Sequence, residues 1–127
     1  MRMARHQSGT RRSAGHAQVR HVLRLLRRPH ELATSAIAIA LCENFGVNDP
    51  VEAVVLMLHQ LFNLRTQTGR RLYDAICLCD VDGLAAKEVA RTMGLSLRQF
   101  FRYRSEAVEA VAAKVNGLAV APLILAS

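Results

Sequence analysis

Residues Leu84–Arg104, LAAKEVARTMGLSLRQFFRYR, decide how the chain reads. Two short helical patterns meet at Met93-Gly94-Leu95-Ser96. Where two helices cross at a tight corner, the first needs a small residue at the crossing. The turn needs a residue that tolerates left-handed backbone angles. Ala90 and Gly94 fill those places, and Val89, Met93, Leu95, Phe100 and Tyr103 supply apolar side chains at the offsets the crossing demands. Ser96 stands before the second helix with Gln99 three residues on, the spacing of a reciprocal capping box. The stretch reads as a helix-turn-helix with a defined start to its second helix.

The side chains expected to face outward from that helix are Arg98, Gln99, Phe101, Arg102 and Ser105. Arginine donates twice to the guanine major-groove edge and glutamine pairs bidentately with adenine, so these residue types suit base reading. Between Leu84 and Ser105 five basic residues (Lys87, Arg91, Arg98, Arg102, Arg104) stand against one acid, Glu88. A phosphate backbone attracts such a balance. A plain two-helix corner with a solvated arginine face would share some of these features, but offsets, cap and charge are separate requirements that agree.

Working outward, 127 residues at 51% hydrophobic content suffice for one helical core and leave no room for a second large domain. The formal charge of +7 points to nucleic acid or an anionic surface. Its distribution says more. The first 28 residues hold eight arginines and no acid, whereas the remainder is nearly balanced. Residues 1–15 lack apolar periodicity and read as a disordered basic arm; an organelle-targeting peptide, also Arg-rich, would need an amphipathic stripe that is missing there.

From His16 the spacing of Val19, Val22, Leu23, Leu25 and Leu26 predicts a first amphipathic helix, interrupted at Pro29. Glu31–Phe45 is apolar with small residues and reads as one buried helix, about half the length a bilayer crossing needs. Gly46 ends it. Asp49 as N-cap and Pro50 at the first helical position open the next, whose Val51, Val54, Val55, Leu58, Leu61, Phe62 and Leu64 mark a core face. After a polar break at 65–69, Leu72, Tyr73, Ile76 and Cys77 define a helix closed by Asp80-Val81-Asp82-Gly83. The second helix of the corner continues through Ala107, Val108, Val111, Ala112 and Val115 to Asn116-Gly117. The last ten residues, LAVAPLILAS, are apolar, so this tail is expected either to dock on the domain or a partner, or to lead into a longer protein.

The expected fold is all-α, a bundle of about five to six helices ending in the helix-turn-helix. Its organisation is an arm at 1–15, a bundle segment at 16–64, the motif region at 65–116 and a tail at 117–127. Three cysteines (Cys42, Cys77, Cys79) make no disulfide framework, and a reducing cytoplasm is expected. Cys77 and Cys79 lack zinc-ligand spacing and read as small hydrophobes on different helix faces; the scattered histidines, His59 among them, suggest no metal site. No Gly-rich phosphate loop, nucleophile–base pair or ligand cluster is apparent. The sequence thus suggests neither an enzyme nor a cofactor.

At the corner the chain resembles the fourth region of bacterial sigma factors, the domain that reads the −35 promoter element. The resemblance covers about residues 67–115. It rests on Asp82-Gly83-Leu84, Lys87-Glu88-Val89-Ala90, Met93-Gly94-Leu95-Ser96, Arg98 through Arg102 and Glu106-Ala107. Response-regulator output domains share much of this pattern. The resemblance implies base contacts from Arg98, Gln99 and Arg102, and phosphate contacts from Lys87, Ser96 and Arg104. It also brings RNA polymerase in as a partner. Residues 16–64 lack the aromatic and acidic region a complete sigma factor uses to open promoters, and Phe100–Arg104 is more aromatic than the family's basic stretch. The expectation is a transcriptional regulator that reads double-stranded DNA in the major groove, possible as a homodimer and without a membrane partner. The alternative is a helical protein–protein module, acting on polymerase or on a second copy without reading sequence. A third reading, single-stranded RNA bound through the arm and Phe101, ranks last because aromatics are only 5% of the chain.

Overall fold

A computed structural model describes residues 15–118; the basic-arm reading of 1–14 and the tail reading of 119–127 lie outside the described residues. Gly15 precedes α1 (His16–Arg24), whose Val19, Val22 and Leu23 are buried. A 3₁₀ turn at Leu25–Arg27 follows, because Pro29 cannot donate an amide and disfavours helix in Arg28, which sits at φ −134°.

The single helix expected over Glu31–Phe45 is two. Pro29–Leu32 forms a one-turn helix, α2, and Ala36–Phe45 forms α3. Between them Thr34 Oγ1 donates to the Glu31 carbonyl and the Ser35 hydroxyl accepts from the Ala38 amide. Side-chain oxygens here compete with the helical ladder and recap the chain, which apolar periodicity does not register. Gly46 closes α3 at φ +67°. Asp49 caps α4 (Pro50–Leu61) by accepting from Val51, with Pro50 at the first position as expected.

The polar break is shorter than expected, since Thr66 accepts from the Gly69 amide and α5 runs Gln67–Ile76. Gly69 is buried at its start, and a Cβ there would lie 2.0 Å from the Asn63 carbonyl oxygen. After Ile76 the helix widens over Cys77–Val81: the Asp82 amide donates to the Cys77 carbonyl at 2.8 Å, five residues back. Then come α6 (Ala86–Met93) and α7 (Leu97–Asn116).

The described residues are therefore all-α, with seven α-helices and no strand. One main core gathers Val19, Leu23, Leu32, Leu41, Val54, Met57 and Ile76 with Ala107, Val108, Val111 and Val115 from α7, reaching Leu118. A smaller cluster joins Ala75, Val89, Ala90 and Phe100 under the corner. Helix α7 belongs to both. Its first two turns hold the corner and its last three turns are part of the main core. No helix among the described residues is long and apolar enough to cross a membrane.

Candidate nucleic-acid interface

The corner at residues 93–96 is built as its chemistry requires. Gly94 adopts φ +70°, ψ 32°, and nothing would lie within 4 Å of a Cβ there, so backbone angle and not space selects glycine. The Leu95 amide donates to the Ala90 carbonyl at 2.8 Å, closing α6. Ser96 Oγ accepts from the Gln99 amide at 3.1 Å and Gln99 Oε1 accepts from the Ser96 amide at 3.0 Å, the reciprocal cap that starts α7. Beneath, Phe100 is fully buried, Val89 and Ala90 are buried, and Met93 and Tyr103 pack against them.

That packing settles which way α7 faces. Phe100, Arg104, Ala107, Val108, Val111 and Val115 lie on the inward stripe, so Arg98, Gln99, Phe101, Arg102 and Ser105 are exposed, as the spacing implied. Arg98 and Arg102, one turn apart, form no hydrogen bond or ion pair with any described residue. Lys87, near the start of α6, and Ser96, at the corner, are exposed. Five of the six sequence-derived site residues are exposed, and Arg104 is not.

Gln99 is constrained. Its carbonyl oxygen is committed to the cap, leaving only its amide N–H groups to donate. A bidentate pairing with adenine needs the amide N–H to donate to N7 while that same oxygen accepts from the N6 amino group, so adenine reading competes with the cap for the oxygen.

Arg104 is not free for the phosphate contact expected of it. Its Nε donates to Asp80 Oδ2 at 3.0 Å and its Nη2 to Asp80 Oδ1 at 2.7 Å, a bidentate pair. Asp80 is buried at 2% exposure and the Arg104 side chain is 19% exposed. The bonds to Asp80 raise the guanidinium pKa above its ordinary value, against the opposing effect of burial. Arg104 therefore fastens α7 to the widened turn that follows α5. Tyr103 is fastened too, its hydroxyl accepting from Arg71 Nη1 at 3.2 Å while the Arg71 guanidinium stacks 5.7 Å from its ring centre.

Sequence reading missed Asp80, treating it as part of a closing loop. The signal was there: Asp80 lies four residues after buried Ile76, and Arg104 four after buried Phe100. Two opposite charges each on an inward stripe are candidates for pairing. Arg20, on α1, also approaches Asp80, its Nε 3.8 Å from Oδ1.

The cysteines are free and half-buried, Cys77 packing against the main core and Cys79 against the smaller cluster. Burial pushes the Cys77 thiol up to about 11. His59 is an exposed rim residue whose ring bonds the Tyr73 hydroxyl at 3.3 Å. Among the described residues no group of three His, Cys, Asp or Glu side chains is placed to hold a metal.

No protein-family model, curated protein or solved structure matches the chain.

Proposed function

We infer that the chain is a DNA-binding transcriptional regulator whose corner, α6 and the first half of α7, reads duplex DNA in the major groove in the manner its sigma-like sequence implies. One observation carries the reading. Arg98 and Arg102 are exposed one turn apart on the opening turns of a capped helix, clear of any partner among the described residues, and Lys87 and Ser96 are exposed as well. An exposed cation pair with no internal role and fork geometry suits guanine edges, and the lysine and hydroxyl suit phosphates. Arg98 and Arg102 are the proposed base contacts, with Gln99 contributing N–H donation; Lys87 and Ser96 are the proposed phosphate contacts. Such a regulator would work in the cytoplasm, where its three thiols stay reduced.

The test is selection of bound duplexes by the purified protein, followed by binding of the selected site and of random duplex to Arg98→Ala and Arg102→Ala. Each substitution should cost about 1–3 kcal/mol on the selected site and far less on random duplex. Equal affinity of the wild type and both variants for the selected site would defeat the reading.

A second reading has its own observation. Ile39 on α3 and Leu56 on α4 are 41% and 37% exposed. These apolar side chains favour an interaction module, contacting a second copy or RNA polymerase. Sizing the wild type against an Ile39→Lys, Leu56→Lys variant tests self-association, and an unchanged elution would remove the homodimer from this reading.

A further inference from the structure

Beside the reading face, α1 and α7 leave a cleft of ≈ 260 Å³, lined by His16, Arg20, Phe101, Arg104, Ser105 and Val108. Arg104, on its wall, already holds the buried Asp80 carboxylate bidentately. Arg20 approaches the same carboxylate, but at 3.8 Å it is too far to hydrogen-bond. Its Nε is buried and has no hydrogen-bond acceptor. Of these three charges one positive charge is left over, and it belongs to Arg20, whose side chain is 38% exposed.

An arginine held this way has given up water at Nε without gaining a hydrogen bond, an unfavourable arrangement for the chain alone. An anion seated in the cleft would offset that cost through charge-assisted bonds to the guanidinium. Ser105, exposed on the same wall, adds a hydroxyl donor, and the Phe101 ring, 46% exposed, adds a flat apolar wall. Guanidinium, hydroxyl and ring together match a sugar–phosphate unit: oxygens to the donors, deoxyribose to the ring. At the far rim Glu109 binds His16 at 3.1 Å, and its negative charge confines an anion to the Arg20 side. Ser105 follows Arg102 by three residues, roughly 4.5 Å along the helix. The cleft thus opens within one turn of Arg102, the proposed base contact.

The geometry points to this cleft as the seat of one backbone phosphate of a bound duplex, with Arg20 its cation, Ser105 its hydroxyl donor and Phe101 its contact with the sugar. The inference rests on the duplex-binding reading and brings α1 into it.

The test is duplex binding, measured for selected and random sequences across a series of salt concentrations, on the full-length wild type, Arg20→Gln, Ser105→Glu and Ala113→Glu. Ala113 is exposed on α7 eight residues beyond Ser105, so its variant makes the same charge change away from the cleft. Arg20→Gln should weaken both sequences by one common factor and make the slope of log affinity against log salt shallower by about 1. Ser105→Glu should weaken both sequences at least as much, whereas Ala113→Glu should stay within about two-fold of the wild type. Should Arg20→Gln fail to fold, Ser105→Glu decides, because Ser105 makes no bond to Asp80. Wild-type affinity and slope in the cleft variants, alongside lost selectivity in Arg98→Ala, would overturn this site and leave the reading helix standing. A wild type that binds no duplex would overturn both.

Discussion

Arg104 grips Asp80 across 24 residues of sequence with two hydrogen bonds, 2.7 and 3.0 Å long, in a site where the carboxylate is almost wholly removed from water. The pair ties the wide turn after α5 to the helix that carries the exposed arginines. Removing one partner of such a pair leaves the other buried and uncompensated. Asp80→Ala should therefore lower stability by about 3 kcal/mol or more, read from urea unfolding. Asp80→Ala combined with Arg104→Met should cost less than the sum of the two single changes, and strict additivity would show that the two residues do not interact.

Two glycines test opposite causes. Gly69→Ala puts a Cβ 2.0 Å from the backbone oxygen of Asn63, which cannot yield without moving the start of α5. A loss of about 3 kcal/mol, the upper end for overpacking, is expected. Gly94→Ala meets open space and is opposed only by its φ of +70°, so about 1 kcal/mol should be lost, and Gly94→Asn should lose less. Thermal unfolding of the three variants gives the order directly; a Gly69→Ala as mild as Gly94→Asn would refute the contact.

Lys87 and Arg102 should part company in binding. Lys87→Ala is expected to weaken selected and random duplexes alike and to reduce the salt slope by about 1, whereas Arg102→Ala should act mainly on the selected site. Both side chains are exposed and unpaired among the described residues, so neither substitution should move the unfolding midpoint. A selective loss in Lys87→Ala would reassign it to base reading.

The Cys77 thiol offers a pH test. Desolvation raises it from 9.0 to about 11, with Tyr73 hydrogen bonding pulling the other way. The unfolded chain sheds this proton near pH 9 while the folded chain keeps it until about 11. The stability contribution is thus complete below pH 9 and lost as pH rises through 11. Alkylation of the native protein at pH 8 should leave Cys77 unmodified, and Cys77→Ala should flatten the fall in stability between pH 9 and 11. Rapid native-state labelling at pH 8 would contradict its burial.

The fold was legible wherever a local rule acts alone. The caps at Asp49 and Ser96, the stops at Gly46 and Gly94 and the apolar stripe of α7 each follow from residues within a few positions of one another. The break between α2 and α3 was hidden because Thr34 and Ser35 act through hydroxyl bonds inside an otherwise apolar run. Gly69 was hidden because its neighbour, Asn63, comes close only after the chain turns back. At the candidate site the exposed arginines followed from helical period, while Arg104 and Arg20 depended on an acid in another element. Charge counts treat every arginine as available; only packing separates those spent inside from those left outside.

Helix α7 is a single 20-residue rod, roughly 30 Å long, serving two clusters at once. The main core draws on residues from both sides of position 64, where the sequence suggested a division. An excised fragment starting at 65 would bare Val108, Val111 and Val115 to water, while the small cluster beneath the corner and the Asp80–Arg104 pair, both inside the fragment, would be kept. The exposed arginines thus ride on one end of a spindle whose other end is sunk in the main core.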